Sequence, residues 1–224
     1  MDNHLHTRFS DGKDSPRDMT LTGIALGYKQ ITFTDHVRRN SDWLESYISE
    51  IHELKKEFKD SIMINCGVEA KIINLNGDID FDNYYRQQID FVLASIHRIP
   101  VGNEEYINSD NAIFLNKNEI FEYMKKATFN ALENPCVDIL AHPFQLGAKE
   151  QYKKKSSEYC CQLRCSAINH KKHIEFNIGK YNECVQQNYW RFPDFKVWLG
   201  SDSHSIDDMI KNSVVLKKID FKEV

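Results

Sequence analysis

Two histidines separated by one residue, His4 and His6, lie near the start of the chain, and Asp11 follows them. In a β-strand, residues two apart point to the same face. Both imidazoles would then be directed at one point, as a pair of metal ligands must be. The pair alone is weak support for a site, because two histidines in a surface strand give the same pattern. The remainder of the chain decides whether the pair has partners.

Residues of the same types recur at five further places, each directly after a short apolar or β-branched segment typical of a buried strand. The complete set is His4, His6, Asp11, His36, Glu69, His97, His142, Asp202 and His204. Any one of these could be a structural residue, but six of the nine histidines occupy such positions. This regular placement predicts a shared site.

The donor set consists of imidazoles and carboxylates without thiolates, which suits zinc, manganese or iron ions. Nine candidate ligands exceed the needs of one ion. The set therefore predicts two or three divalent metal ions with bridging carboxylates. Sites with several metals are suited to phosphoryl or acyl hydrolysis, because they activate water and neutralise developing charge.

The segments that carry these residues predict alternating strands and helices. The predicted strands span residues 2–6, 31–34, 62–69, 91–96, 137–141, 173–177 and 196–201. The predicted helices span residues 18–29, 42–59, 118–133, 150–169 and 181–189, with a short helix or turn at 84–88 and a polar loop at 99–116. Alternation implies parallel pairing and an α/β fold, and seven such units in this length favour a barrel. Because active sites gather at the carboxyl ends of barrel strands, we expect the nine residues to converge there.

The composition favours one domain over residues 1–224 with a large core, since 41% of the residues are hydrophobic. The formal net charge of −4 gives no reason to expect binding to long nucleic acids or to a membrane surface. The N-terminus lacks the apolar run of a signal peptide, and no segment is apolar for long enough to span a bilayer. We therefore expect a cytoplasmic protein.

The six cysteines show no regular disulfide framework. Cys160, Cys161 and Cys165 are close in sequence, and we interpret them as free thiols on a helix. A soft-metal site is the alternative.

Taken together, the motifs resemble those of the PHP (polymerase and histidinol phosphatase) family. They are His4-Leu5-His6, Ser10-Asp11-Gly12, Thr34-Asp35-His36, Gly67-Val68-Glu69, Ser95-Ile96-His97, Ala141-His142-Pro143 and Gly200-Ser201-Asp202-Ser203-His204, in this order. The resemblance extends over essentially the whole chain. It implies a distorted seven-stranded (β/α)7 barrel, similar to a TIM barrel, with a trinuclear metal site.

The resemblance also implies how the ligands are shared among three ions. One ion would be bound by His4, His6, Glu69 and Asp202, a second by Glu69, His97 and His142, and a third by Asp11, His36 and His204. Glu69 would bridge the first two ions. Some relatives have histidine in the place of Asp11, so the carboxylate leaves the identity of the metal open.

The function implied is a phosphoesterase in which metal-activated water attacks a small-molecule phosphate monoester. Glu69, Asp202 and His204 are the residues that we expect to be essential for catalysis. Arg98, next to His97, is the first candidate to clamp the phosphate, because a guanidinium group matches phosphate geometry.

Weaker candidates for contact with the substrate are Arg8 and Lys71, together with Asn177 at the end of the sixth strand. Asp2 and Asp35 are candidates to orient the ligand histidines.

A histidinol-phosphatase-like enzyme is the leading hypothesis. A nucleotide or nucleic-acid phosphoesterase of exonuclease type and a phosphotyrosine phosphatase are alternatives on the same scaffold. A non-catalytic metal-binding module is less favoured, because the ligand set is complete. The pattern does not indicate an oligomeric state.

Overall fold

Seven parallel strands form the centre of the fold and curve into a nearly closed barrel. The computed structural model describes residues 1–102, 105–107, 116–143, 151–178 and 197–218. In chain order the strands are β1 (Asp2–Leu5), β2 (Gln30–Phe33), β3 (His36–Val37), β4 (Met63–Lys71), β5 (Phe91–Ser95), β6 (Ile99–Pro100), β7 (Tyr106–Ile107), β8 (Ile139–Leu140), β9 (His173–Asn177) and β10 (Val197–Gly200). The barrel runs in the order β1, β2, β4, β5, β8, β9 and β10, and the short β3 pairs with β4. The predicted seven-stranded α/β barrel is thus confirmed.

The first and last barrel strands meet just beyond their carboxyl ends. Leu5 forms a parallel bridge with Ser203. The backbone N–H of His6 donates to the Ser203 carbonyl, and that of Asp202 donates to the His4 carbonyl, each at 2.9 Å. Three predicted ligands therefore lie at the junction that closes the barrel.

Five helices accompany the strands in the described part of the chain. They are α1 (Pro16–Ala25), α2 (Leu44–Glu57), α3 (Lys117–Glu133), α4 (Gln151–His170) and α5 (Ile206–Leu216), with a 3₁₀ helix at Asn83–Gln88. The spacing of Leu44, Ile48, Ile51 and Leu54 places all four on the buried face of α2. Burying each such side chain contributes roughly 1.5–3 kcal/mol.

The strand register shows which side chains point into the barrel. Partners on neighbouring parallel strands share a face, and Glu69 pairs with Leu93, Leu93 with Ile139, and Glu175 with Trp198. Leu93, Ile139 and Trp198 form an apolar cluster separate from the larger core under the helices. This interior cluster forms an apolar floor beneath the polar residues at the carboxyl ends.

The short strand β3 was not predicted, and the structure differs from the predictions at two further places. Helix α1 begins at Pro16 and not at residue 18, because proline fits the first helical turn and Ser15 caps it by accepting the Asp18 N–H. It ends before Gly27, whose φ of 78° stops the helix.

The second difference lies in the predicted polar loop at 99–116, where β6 and β7 form a short antiparallel hairpin. The predicted helix at 181–189 lies outside the described residues. Helix α4 carries Cys160, Cys161 and Cys165 as free thiols, as predicted. None of the helices in the described ranges has the length and hydropathy needed to cross a membrane.

Candidate metal centre

Four predicted ligands converge in the mouth of the barrel. His4 Nε2 lies 2.9 Å from His6 Nε2, 3.4 Å from Glu69 Oε2 and 3.5 Å from Asp202 Oδ1. His6 Nε2 lies 3.4 Å from Glu69 Oε2 and 3.0 Å from Asp202 Oδ1. Four ligands at about 2.1 Å from a zinc ion, at tetrahedral angles, are about 3.4 Å apart. These five distances, 2.9–3.5 Å, are close to this spacing.

The second oxygen of Glu69 faces a different pair of imidazoles. Glu69 Oε1 lies 2.8 Å from His142 Nε2 and 3.2 Å from His97 Nε2. One carboxylate thus presents an oxygen to each of two imidazole groups, as a bridging ligand does.

Asp11, His36 and His204 form a third group, which is more open to solvent. Asp11 Oδ2 lies 3.6 Å from His36 Nε2, and Asp11 Oδ1 lies 3.4 Å from His204 Nε2. The rings of His36 and His204 each lie 4.3 Å from the His6 ring, so this group adjoins the first. The Asp11 side chain is 57% exposed, which leaves this side of the centre accessible.

One buried oxygen fits a cation better than a hydrogen bond. Glu69 Oε2 is buried without a hydrogen bond, although His36 Nδ1 lies only 2.9 Å away and two further imidazole nitrogens lie within 3.4 Å. An unsatisfied buried acceptor of this kind costs about 1–3 kcal/mol. Imidazole lone pairs and a carboxylate directed at one point are the donor set of a divalent metal ion.

The electrostatics divide the ligands of the first group. Burial lowers the pKa of His4, but the carboxylates of Glu175, Asp202 and Glu69 raise it well above its usual value, so metal binding at His4 would release a proton. Burial lowers the pKa of His6 to about 3. Burial alone would raise the pKa values of Glu69 and Asp202, but the positive charge of the adjacent protonated His4 helps to hold both well below their usual range. These three side chains therefore present unprotonated donor atoms at neutral pH, as metal binding requires.

Two ligand candidates have strained backbones. His142 has a φ of 26° and Asp202 a φ of 58°, in a region that non-glycine residues rarely adopt. Each such residue costs on the order of 1–3 kcal/mol. Both lie just beyond a barrel strand, where the sharp turn brings the side chain to the mouth.

Glu175 was not predicted as a site residue, yet it holds two of the histidines. Its Oε1 lies 2.7 Å from His4 Nδ1, and its Oε2 accepts the His142 backbone N–H at 2.8 Å. A proton on His4 Nδ1 leaves the Nε2 lone pair directed at the first group. The available signal was an acidic residue between Ile174 and Phe176 in an otherwise apolar part of β9.

Asp2 and Asp35 contact no imidazole ring among the described residues. They accept hydrogen bonds from backbone N–H and hydroxyl groups, and Asp2 also accepts the His4 backbone N–H at 3.5 Å. Asp2 accepts the N–H and hydroxyl of Ser201 at 3.0 and 2.6 Å. Asp35 accepts the backbone N–H groups of Thr7 and Ser10 at 2.9 and 3.1 Å, and their hydroxyl groups at 2.9 and 2.7 Å. These carboxylates fix the loops that carry the ligands.

A comparison with known families identifies the family to which the chain belongs. Residues 2–178 match the PHP domain, which is most of the chain. The chain belongs to the PHP domain family. This confirms the family resemblance of the motif set.

Relatives of this PHP domain carry several activities in their names. The chain is 31% identical over 149 residues to the DNA polymerase/3'-5' exonuclease PolX of Bacillus subtilis, and the match covers 63% of the chain and 23% of PolX. It is 37% identical over 111 residues to the histidinol-phosphatase of Lactococcus lactis, covering 44% of the chain and 39% of that protein. A "probable phosphatase" of Acetivibrio thermocellus is 28% identical over 213 residues, with 91% and 79% covered. The chain thus spans less than half of the first and second proteins.

The fold of the PHP domain also matches a solved structure. The crystal structure of histidinol phosphate phosphatase from Lactococcus lactis, complexed with zinc, L-histidinol and phosphate, superimposes with a TM-score of 0.66. The match covers 98% of this chain and 93% of that one, at 22% sequence identity. It supports the barrel fold.

Two adjoining cavities open beside the centre of the PHP domain. The larger, a cleft of about 610 Å³, is lined by the ligand candidates Asp11, His36 and His97 and by the cations Arg38 and Lys71. The smaller, a recess of about 200 Å³, is lined by Arg38, Lys71 and Arg98 among others. Burial and the charges of Arg38 and Arg98 lower the pKa of Lys71. Arg98, the predicted phosphate clamp, thus lines the recess and not the cleft itself.

Two other predicted substrate residues, Arg8 and Asn177, do not line the cleft. Arg8 Nη2 is 3.8 Å from Glu50 Oε2 on α2. Asn177 is fully buried, and its Nδ2 donates to Glu175 Oε1 at 3.2 Å. The placement of Asn177 indicates support for Glu175 and not contact with a substrate.

Proposed function

We propose that this PHP domain is a metal-dependent phosphoesterase that hydrolyses small phosphate monoesters. The proposed metal ligands are His4, His6, Asp11, His36, Glu69, His97, His142, Asp202 and His204, grouped around two or three divalent ions. Zinc, manganese and iron all suit this donor set. When bound, such ions supply a water nucleophile at neutral pH and neutralise charge on the phosphate.

The observation that carries the proposal is the position of Glu69. Its two oxygens face separate imidazole groups, with His4 and His6 on one side and His97 and His142 on the other. A single structural metal ion would need only one of these groups. Paired sites bridged by a carboxylate are typical of enzymes that clamp a phosphate between metals.

The chain's own residues hold this geometry in place. Glu175 keeps the His4 proton on Nδ1 and fixes the His142 backbone. Asp35 holds the loop from Thr7 to Ser10, and Asp11 directly follows this loop. The cleft admits a substrate on the side of Asp11 and His36, while the apolar floor excludes water from below.

Histidinol-phosphatase-like hydrolysis is the finer proposal, and the names of the Lactococcus relative and of the solved structure support it. The residues around the cleft determine which leaving group is accepted. A nucleotide phosphoesterase is the second candidate, supported by the similarity to PolX.

Metal reconstitution tests the proposal. The protein is stripped with a chelator, reloaded with Zn²⁺ or Mn²⁺, and assayed with an aryl phosphate. We expect bound metal and hydrolysis that depends on it. A Glu69→Gln variant should lose hydrolysis and much of the bound metal, because the bridging ligand loses an anionic oxygen.

Two controls separate the alternatives. Glu53→Gln, an exposed substitution on α2, should leave both properties unchanged. Stoichiometric metal binding without hydrolysis of any ester would indicate a non-catalytic metal-binding module and overturn the proposal.

A further inference from the structure

The recess beside the cleft is unusually rich in positive charge. Its lining includes the cations Arg38, Lys71 and Arg98 and one carboxylate, Asp80. None of the nine proposed metal ligands lines it. The recess is therefore a separate compartment next to the place where the scissile phosphate would be bound.

The three cations outnumber the single carboxylate of the recess, and none of them forms a close ion pair with a described residue. Asp80 Oδ1 instead accepts the backbone N–H of Arg39 at 3.0 Å. The Arg98 guanidinium lies over the Tyr106 ring, with Cζ 5.9 Å from its centroid, and not against an acid.

Two arginines elsewhere in the described part of the domain are paired with carboxylates. Arg17 pairs with Glu57, and Arg86 binds both oxygens of Asp138 at 2.8 Å. Like charges held together with too little counter-charge destabilise a fold, and clusters of this kind are typical of anion-binding sites.

We propose that the recess binds a second anionic group of the substrate. The preferred substrates are then phosphomonoesters whose leaving group carries a phosphate or a carboxylate. This inference rests on the proposed function, because the scissile phosphate occupies the adjoining cleft beside Asp11, His36 and His97. Arg38 and Lys71 line both cavities and lie between the two anions. A leaving group with a free amine, which histidinol also carries, would be repelled. This charge preference and histidinol-phosphatase-like specificity therefore exclude each other, and matched ester pairs decide between them.

Matched ester pairs test the inference. Fructose 1,6-bisphosphate is compared with fructose 6-phosphate, and 3-phosphoglycerate with glycerol 3-phosphate, with phosphoethanolamine as the cationic ester. We expect kcat/KM to be about 10-fold to 100-fold higher for the doubly anionic member of at least one pair, as charge-assisted contacts provide. The pair that shows the preference identifies phosphate or carboxylate as the second group.

Arg98→Gln connects the preference to the recess. The ratio of kcat/KM values within the preferred pair should fall to about threefold or less, and Arg98→Lys should restore part of it. Because both esters depend on the same ions, the ratio cancels any effect of Arg98 on the neighbouring His97. Lys29→Gln, an exposed cation just before β2, is the matched control and should keep the ratio.

Each outcome distinguishes the two proposals. Hydrolysis of all esters without a charge preference, or a preference that Arg98→Gln does not change, overturns the recess inference and leaves the phosphoesterase proposal standing. A higher kcat/KM for phosphoethanolamine than for the doubly anionic esters also overturns the inference. If no ester is hydrolysed by the metal-loaded protein, the proposed function fails, and the inference that rests on it fails as well.

Discussion

Replacing Glu175 with glutamine tests how the metal centre is held. Glu175 Oε1 lies 2.7 Å from His4 Nδ1, and Oε2 accepts the His142 backbone N–H at 2.8 Å. When His4 Nε2 binds a metal, His4 Nδ1 carries the proton. His4 Nδ1 and the His142 backbone N–H then both donate to Glu175. Glutamine has the same shape but only one oxygen, so one of these donors would face an NH₂ group.

The structure sets the size of the expected effect. Leaving one buried donor without an acceptor costs about 1–3 kcal/mol, which is roughly 5-fold to 150-fold in an equilibrium constant. Residues that orient metal ligands typically contribute about 10-fold to 100-fold to metal affinity. We therefore expect Glu175→Gln to weaken zinc binding by about 10-fold to 100-fold, mainly at the site that includes His4.

Competition with a chromogenic chelator measures this affinity. The apoprotein is titrated with Zn²⁺ near neutral pH, and metal per chain is determined in parallel. Glu53→Gln on the exposed face of α2 is the matched control and should behave like the wild type. Unchanged zinc affinity at every site in Glu175→Gln would refute the role that we assign to this carboxylate.

Three further substitutions test neighbouring features. Gly200→Ala would place Cβ 2.5 Å from both Glu175 Oε1 and His4 Cβ, so we expect about 1–3 kcal/mol of destabilisation and loss of bound zinc, measured by denaturant unfolding and metal analysis. A stable, fully loaded variant would contradict this packing. Asp202→Ala should abolish aryl phosphate hydrolysis and reduce metal content, and an active variant would exclude Asp202 as a ligand. Tyr47→Phe removes a hydroxyl that donates to a β4 carbonyl at 2.6 Å, which should lower the free energy of unfolding by about 1 kcal/mol without changing metal stoichiometry. No change in that free energy would refute the contribution of this hydrogen bond.

The positions of the strand-end ligands could be predicted because one geometric rule governs them. Parallel barrel strands all end at the same rim, so residues directly after strands meet whatever their separation in sequence. His97 and His142 follow β5 and β8 and meet at one oxygen of Glu69. The amino-acid pattern was sufficient to predict this convergence, because apolar runs in the sequence mark where the strands end.

Other features depend on register and packing, which composition does not specify. Glu175 lies within β9, and its direction toward His4 follows from the pairing of β9 with β10. The cationic recess joins Arg38, Lys71 and Arg98, which lie in three separate segments of the chain. The β6–β7 hairpin has two-residue strands, which are too short to show a periodic pattern.

The closure of the barrel has a consequence for biosynthesis. His4 and His6 leave the ribosome long before Asp202, which shares their proposed ion and follows His6 by 196 residues. Because domains fold as the chain emerges, His4 and His6 are exposed on the nascent chain before Asp202 has been synthesised. The site formed by His4, His6, Glu69 and Asp202 would then be completed late in synthesis. A chain truncated before residue 202 would fold in part but would bind this proposed ion weakly.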